Sequence, residues 1–422
     1  MRIHIETYGC SANINNSEII EGMLLKAKHK IVSSEKDADL VIINTCIVKG
    51  PTENRMIKRM QEIRKPILVA GCMVDAEPEI IRKIRTDAIL VGLNNLSNIN
   101  KAIKEKRNFT GKEREEIKLK LPKKNRNKAV EIVQIAEGCL GNCSYCITKI
   151  AKGKLFSYPE RLIVDAVRKS KAKEIWLTSQ DCGAYGLDIG TNLANLLRKI
   201  LKLKKEFRLR IGMMNPNHVA KIIDELIETY RDERVFKFVH IPVQSGNNEI
   251  LLRMNRNYKA EDFIEIVEKF RKNFPAMTLS TDIICGFPME TDEQFEDSCK
   301  LIEKIKPDII NISKFWPRPK TVAAKMKQVD VETRNKRSKM MKQISRKITA
   351  EKNREWLGWE GDVYVDEIRE DGQISGRNFA YKKIALQNAK KSMLGKTIKV
   401  KITETGINYL KGELLTRQNR IS

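Results

Sequence analysis

The sequence has no run approaching the ~18 apolar residues that a membrane-spanning helix needs. Its opening, MRIHIETYGC, has no basic stretch leading into a long apolar one. Neither a secreted chain nor an integral membrane protein is expected; the expectation is a cytoplasmic protein with no membrane partner. Histidine is scarce, with four in 422 residues, and the four form no motif. The nine cysteines, an odd number in a long chain, argue against a disulfide framework and for reduced thiols that are either buried filler or ligands. Acidic residues do not balance the basic ones: 54 Asp and Glu stand against 80 Lys and Arg, a formal charge of +26. Such an excess suits a polyanionic partner, nucleic acid before an anionic membrane surface.

With 41% hydrophobic residues the chain can bury cores, and its length suits two to four domains. The charge is uneven. Residues 101–128 hold 12 basic and 4 acidic residues and residues 320–354 hold 12 and 3, so these two segments carry +17 of the +26. They read either as solvated helix faces or as the walls of a groove that tracks a nucleic-acid backbone. The first also reads as a basic linker over 111–128.

Residues 1–110 alternate short apolar runs with helical periods. Strands are predicted at Arg2–Thr7, Leu40–Asn44 and Ile67–Ala70, with helices at Ser17–Ala27 and Thr52–Arg64, which is the pattern of a parallel α/β sheet. Each strand ends just before a cysteine, so Cys10, Cys46 and Cys72 fall at carboxyl ends, where open α/β sheets place ligands. Residues 129–355 repeat a strand-then-helix unit six times, with strands at Val130–Ala136, Glu174–Thr178, Arg208–Met213, Phe236–Val243, Leu279–Cys285 and Ile309–Phe315. Helices fall between them, as at Pro159–Ser170, His218–Tyr230 and Ala260–Asn273. Six units are too few for the closed eight-unit barrel of ~250 residues, so an open (βα)6 partial barrel is expected and a closed one is the alternative. Residues 356–422 turn to short alternating β stretches divided by Gly and Asp turns, a small β-barrel of oligonucleotide-binding type. From Glu355 onward there are 12 basic and 9 acidic residues, so bulk charge is not its main asset.

Cys139, Cys143 and Cys146 form C-x3-C-x2-C directly after the first strand of the repeat. At this chain's cysteine frequency such spacing arises by chance on the order of once in 2,000 trials. Closed structural zinc wants four ligands and no fourth stands nearby in sequence, yet a zinc site remains the alternative. Iron–sulfur clusters usually have four thiolates, so three would leave one iron open to chelate a substrate. By itself the spacing points to a three-thiolate metal site, with three unrelated core thiols as the plain alternative.

The stretch Cys139-LGN-Cys143-Ser144-Tyr145-Cys146 resembles the radical S-adenosylmethionine (SAM) superfamily. The resemblance implies a [4Fe–4S] cluster whose open iron binds SAM, reductive cleavage of SAM to a 5′-deoxyadenosyl radical, and a (βα)6 partial barrel. Three further stretches resemble SAM-contacting segments: TSQDCGAYG with Gln180 and Asp181, HIPVQSGNN with Gln244 and Ser245, and STDIICGFPMET with Asp282, Ile284 and Gly286. With Tyr145 these are the residues that the resemblance assigns to SAM.

TYGCSANINNSE around Cys10, INTCIVKGPTENR around Cys46 and AGCMVDAEP around Cys72 resemble the methylthiotransferase N-terminal domain. That implies a second [4Fe–4S] cluster, again with a free iron, which delivers sulfur. The C-terminal module looks like the family's TRAM domain, an RNA-binding barrel. EIWLTSQDCGAYGLDIGTNL, MNPNH, HIPVQSGNNEIL and TDIICGFP most resemble the archaeal and eukaryotic branch, which acts on N6-threonylcarbamoyladenosine at position 37 of tRNA. Where relatives commonly carry Gly after GFP and in RPGT, this chain has Met289 and Lys320, which puts the local turns in question. Cys285 and Cys299 read as wall and helix filler, Cys182 as a residue near the site, and His240 as part of the barrel wall.

The expected reaction is methylthiolation at C2 of the modified adenine in the anticodon stem-loop, by a monomer served by an electron donor such as ferredoxin or flavodoxin. The rivals are the same chemistry on isopentenyladenosine tRNA or on a ribosomal-protein aspartate, and a zinc-stabilised RNA-binding protein without redox chemistry.

Overall fold

A computed structural model describes residues 1–48, 50–111 and 116–415; residues 112–115 of the expected linker and 416–422 of the terminal module lie outside the described residues. Strands β1 Arg2–Thr7, β2 Lys30–Val32, β3 Leu40–Thr45, β4 Ile67–Gly71 and β5 Ile89–Val91 form one sheet in the order β2-β1-β3-β4-β5. Every pairing in it is parallel. β3 and β4 are buried along their whole length, which is why they read as unbroken apolar runs. The edge strands β2 and β5 have three residues each, too few to carry a period. Helix α1 spans Ser11–Lys26, six residues longer at its start than the sequence predicts. SANINN reads as turn residues, but Asn13, Asn15 and Asn16 are buried against strand ends and continue the helix up to Cys10, which is its N-cap.

The middle region contains β6 Val130–Gln134, the short antiparallel pair β7 Ala136–Glu137 and β8 Phe156–Ser157, then β9 Glu174–Thr178, β10 Arg208–Ile211, β11 Phe238–His240, β12 Thr278–Cys285 and β13 Ile309–Lys314. Two parallel three-stranded sheets, β6-β9-β10 and β11-β12-β13, are joined through the Leu209–Val235 bridge, giving six strands in chain order. No pairing between β6 and β13 closes the ring among the described residues, so the barrel is open as expected. The ladder of β11 is shorter than the predicted Phe236–Val243, because Val243 N–H donates to the Thr281 hydroxyl and Gln244 turns into left-handed backbone. The predicted His218–Tyr230 helix is split into Pro216–Val219, Ala220–Ile222 and Ile223–Tyr230.

Met289 and Lys320, where the resemblance leads to an expectation of glycine, both hold left-handed backbone, with φ of 63° and 65°. The turns are therefore kept at a cost of about 1–2 kcal/mol each. Lys320 offsets part of this by donating to the Ala76 carbonyl at 2.8 Å and pairing with Glu79. The same loop sends buried Arg318 to Glu53 and Glu77 and lays Trp316 on Gly50, so it fastens the barrel to the N-terminal sheet domain.

Strands β14 Glu360–Ile368, β15 Ile374–Arg377, β16 Lys383–Gln387, β17 Thr397–Thr405 and β18 Leu410–Leu414 form a closed barrel in the order β14-β15-β16-β18-β17. It packs on the amino ends of the central strands. Tyr364 donates to the Ala129 carbonyl, Tyr381 lies 4.9 Å from the rings of Phe236 and Phe238, and buried Lys382 pairs with Asp308. Glu174 is fully buried in this interface beside Asp366, with Oε1 on the Trp176 indole N–H and Oε2 without a partner among the described residues. Burial, then Asp366, pushes its carboxyl up to about 8. The folded state thus keeps a proton that the unfolded chain releases above the ordinary value of 4.5, and stability falls as pH rises between these limits. A thermal melt that drops by several degrees from pH 5 to pH 8, and flattens in Glu174→Gln, is the expected result; an unchanged slope in that variant would place the titration elsewhere.

Candidate functional site

The first triad is built by a loop with little freedom. Gly138 has φ of +69°, and a Cβ there would stand 1.8 Å from the Lys154 carbonyl oxygen, so only glycine turns the chain from β7 into Cys139. Cys139 N–H donates to the Gly153 carbonyl, Cys146 N–H to the Cys143 carbonyl and Ser144 N–H to the Met254 carbonyl. Asn255 Nδ2 holds the Asn142 carbonyl at 2.7 Å. A Gly141 Cβ would lie 3.5 Å from Cys139 Sγ and 3.7 Å from Cys143 Sγ, so the loop curls these two thiols around one space.

Donors already point at the sulfurs. Gly141 N–H lies 3.3 Å from Cys139 Sγ and Arg256 Nη1 3.1 Å from Cys143 Sγ. Burial pushes the Cys139 thiol up to about 11, with Asp181 adding to it, and raises Cys146 as well. Such thiols stay protonated until a metal displaces the proton.

Arg256 was not legible as a site residue; only its place in RMNRNY, one turn beyond a helix, marks it. Its Nη2 donates to Asn215 Oδ1. Asn215 in turn donates Nδ2 to Asp181 Oδ2 at 2.9 Å and its backbone N–H to Oδ1. Asp181 also takes the Gly183 N–H and His218 Nδ1 at 2.7 Å. The Asp181 carboxylate is thus fully engaged inside the wall, where it holds Asn215 and through it the Arg256 that faces Cys143. Burial opposes its charge, but His218 and Asn215 outweigh that and hold its pKa low.

The remaining expected SAM contacts divide into two groups. Gln180 Oε1 is buried with no partner among the described residues, an acceptor left for an incoming donor. Tyr145 and Ile284 pack in one apolar cluster with Phe287 and Phe315 at the carboxyl ends of the strands. Asp282 accepts His240 Nε2 at 3.0 Å and Asn311 Nδ2 at 2.8 Å, which gives His240 the wall role expected of it. Gln244 has φ of 70° and bonds the Asp282 carbonyl and the Ile284 N–H through its backbone. Gly286 abuts Arg334, which a Cβ would meet at 2.3 Å. Ser245 is turned away: it is fully buried, with its hydroxyl at Ser298 and the Asn247 N–H. Cys182 is also a core residue, with Sγ at Ser179 and the Leu177 carbonyl, and Cys285 and Cys299 are buried as expected.

Cys10, Cys46 and Cys72 follow β1, β3 and β4 and meet around Asn13 and Gly9. Asn13 Nδ2 donates to the Tyr8 and Thr45 carbonyls, and its Oδ1 lies 3.9 Å from Cys72 Sγ. A Gly9 Cβ would stand 2.9 Å from Cys46 Sγ. Cys10 is exposed, whereas Cys46 and Cys72 are buried. Burial raises Cys46 and pushes Cys72 up to about 12, against a lowering pull from Lys152. Lys152 and Lys118 are buried on either side of Glu137; burial would raise that carboxyl, but the two ammonium groups outweigh it and hold it at about 2.

The fold brings the triads to one end of the molecule. Helix Cys72–Ala76 packs on helix Thr148–Lys152, which begins two residues after Cys146, and Cys72, Ile147 and Ala151 share one apolar cluster. Ser11, beside Cys10, bonds the Thr178 hydroxyl at the carboxyl end of β9. Among the described residues no three Cys, His, Asp or Glu side chains gather closely enough for a single metal ion, which holds for a zinc site and for either triad alike. Cys139 and Cys143 face one space across Gly141, each with an N–H donor on its sulfur, and Cys146 follows in the same loop, a donor set that suits a cluster held by three thiolates.

Three family models match the chain: the radical SAM superfamily at residues 133–302, an uncharacterized protein family, UPF0004, at 2–92, and the TRAM domain at 357–415. The "Probable threonylcarbamoyladenosine tRNA methylthiotransferase" of Pyrococcus horikoshii is 41% identical, covering 99% of this chain and 100% of that protein. The protein of the same description from Archaeoglobus fulgidus is 40% identical over 99% and 100%. The human "Threonylcarbamoyladenosine tRNA methylthiotransferase" is 35% identical over 98% of this chain and 74% of that one. Among solved structures, the radical SAM methyltransferase TsrM of Kitasatospora setae, with cobalamin and a [4Fe–4S] cluster bound, superposes with a TM-score of 0.55 at 14% identity, covering 76% of each chain, which bears on the fold. No helix among the described residues is long and apolar enough to cross a membrane.

Proposed function

The chain belongs to the threonylcarbamoyladenosine tRNA methylthiotransferase family, and from that premise we propose that it adds a methylthio group to C2 of N6-threonylcarbamoyladenosine 37 in tRNA. Its radical SAM domain takes a [4Fe–4S] cluster and SAM. The observation that supports the reading is the packing of Cys72–Ala76 on Thr148–Lys152, which brings Cys72 against the helix that follows Cys146.

Cys139, Cys143 and Cys146 would hold the SAM cluster, and Cys10, Cys46 and Cys72 a second [4Fe–4S] cluster. When bound, such clusters and SAM supply one-electron chemistry able to remove hydrogen from an unactivated, non-acidic carbon, which acid–base groups do not. Gln180 Oε1 offers an acceptor to the SAM amino group, and Tyr145 and Ile284 an apolar side to its adenine. Asp181 acts indirectly, as the anchor of Asn215 and Arg256. The electron comes from a small donor such as ferredoxin or flavodoxin, and the target base is splayed from its loop to reach the mouth.

The test compares anaerobically reconstituted protein on tRNAs with and without the threonylcarbamoyl group, on isopentenyladenosine tRNA and on ribosomal protein, by mass spectrometry of the products. Methylthio product is expected only from the threonylcarbamoylated tRNA. Product from any of the other three substrates, or a colourless protein containing zinc, would overturn the reading.

A further inference from the structure

We propose that the solvent face of helix Val331–Arg354 is the track along which the backbone of the tRNA arm lies between the terminal β-barrel and the mouth of the central barrel. This rests on the reading that tRNA is the substrate. The two cysteine triads and the terminal barrel stand at opposite ends of the central strands, so a substrate held at both needs a surface between them. The helix is that connection. At its start Arg334 touches Gly286 and donates to the Phe315 carbonyl, and Arg337 pairs with Glu290, all just beyond the carboxyl ends of β12 and β13. Near its end Asn353 donates to the Gly406 and Ile407 carbonyls of the terminal barrel. Its 24 residues span about 36 Å.

One side of the helix is fixed in the protein by Arg337, Met341 and Ile348, all buried. The other carries exposed Lys339, Lys342, Arg346, Lys347 and Arg354, on average more than one cation per turn of about 5.4 Å over this stretch. None of these five forms an ion pair among the described residues. Lys339, Lys342 and Arg346 wall a groove of about 690 Å³ whose floor is Ile310 and Ile312 of β13. Arg346 continues into a second groove of about 390 Å³, bordered by Lys347, Arg354 and Ile407.

In the other basic segment Lys118 is buried on Glu137, Lys123 binds Glu18 and Glu131, and Arg126 binds Glu21, so these cations join domains. Exposed Lys104, Lys106, Lys120, Lys124 and Lys128 form no ion pair among the described residues, but they are divided among a short helix, its cap, a turn and a loop and make no single helical row. On the terminal barrel Lys399, Lys401 and Lys411 are paired with Asp362, Glu360 and Glu404, and exposed Lys390, Lys391 and Lys396 sit in one connection between strands. A linear row of unpaired cations beside a groove suits a linear polyanion, because each phosphate it neutralises releases a counterion.

The test uses the full-length reconstituted protein and threonylcarbamoylated tRNA, with affinity measured against salt concentration. In the triple variant Lys339→Glu, Lys342→Glu, Arg346→Glu the slope of log K on log salt should shrink by about 2–3, and binding should weaken more than tenfold at low salt. Iron content, thermal melt and SAM cleavage without tRNA should stay at wild-type level. A control triple, Lys26→Glu, Lys28→Glu, Lys30→Glu, should leave the slope as it is. An unchanged slope in the first variant, or an equal loss in the control, overturns the track. Binding transferred to anionic vesicles rather than tRNA overturns it in favour of a membrane surface. Failure of the wild-type protein to bind any tRNA would instead bring down the functional reading itself.

Discussion

Replacing Cys139 with alanine is expected to abolish formation of 5′-deoxyadenosine. Loss of an outer partner of a metal ligand typically costs roughly 10–100-fold, and loss of the ligand itself should exceed that, taking the signal to background. The loop loses only the Gly141 N–H contact to the thiol: Cys139 N–H still reaches Gly153, and Gly138 still sets the turn. Thermal unfolding should therefore change little, while iron falls from about eight to about four per chain. Deoxyadenosine quantified after anaerobic reduction, together with iron analysis, checks the prediction. Undiminished cleavage of SAM would remove the Cys139, Cys143 and Cys146 assignment.

Cys46→Ala should separate the two halves of the reaction. Cys46 belongs to the other triad, on a different sheet, and touches Gly9 rather than the Cys139 loop. The variant should retain deoxyadenosine formation within about twofold and lose methylthio product by more than about a hundredfold. Its thiol is almost fully buried, so the substitution leaves a small void whose cost is about 1 kcal/mol, not an unfolded domain. Mass spectrometry of free 5′-deoxyadenosine in the mixture and of the nucleosides digested from the tRNA, after one incubation, gives both readouts. A Cys46 variant that still turned over would remove the sulfur-delivery role from this triad.

Much of the fold was legible because its signals are local. β9 and the Ala260–Asn273 helix fall where the sequence predicts them, since each has its period and its boundaries within a few residues. Boundaries failed where a tertiary contact overrode the local signal. Buried asparagines extend α1 to Cys10, and a side-chain bond from Thr281 ends the ladder of β11. The three-thiol loop was legible for the same reason as β9: its spacing is short. Arg256 was not, because it reaches Cys143 across 113 residues and no period marks it.

The sequence by itself determined the family, the order of the three folding units and the cysteines that end up at carboxyl strand ends, because runs, spacings and motifs are properties of neighbouring residues. It also determined that two segments hold most of the excess charge. Only the tertiary structure decided that Asp181 is an anchor in the wall, that the two triads share one end of the molecule, and that the terminal barrel sits at the other. It also decided which basic residues stay unpaired. A charge is neutralised by whatever the fold brings within a few ångströms, such as Glu137 for Lys118 and Lys152, and those partners lie too far along the chain for composition to reveal.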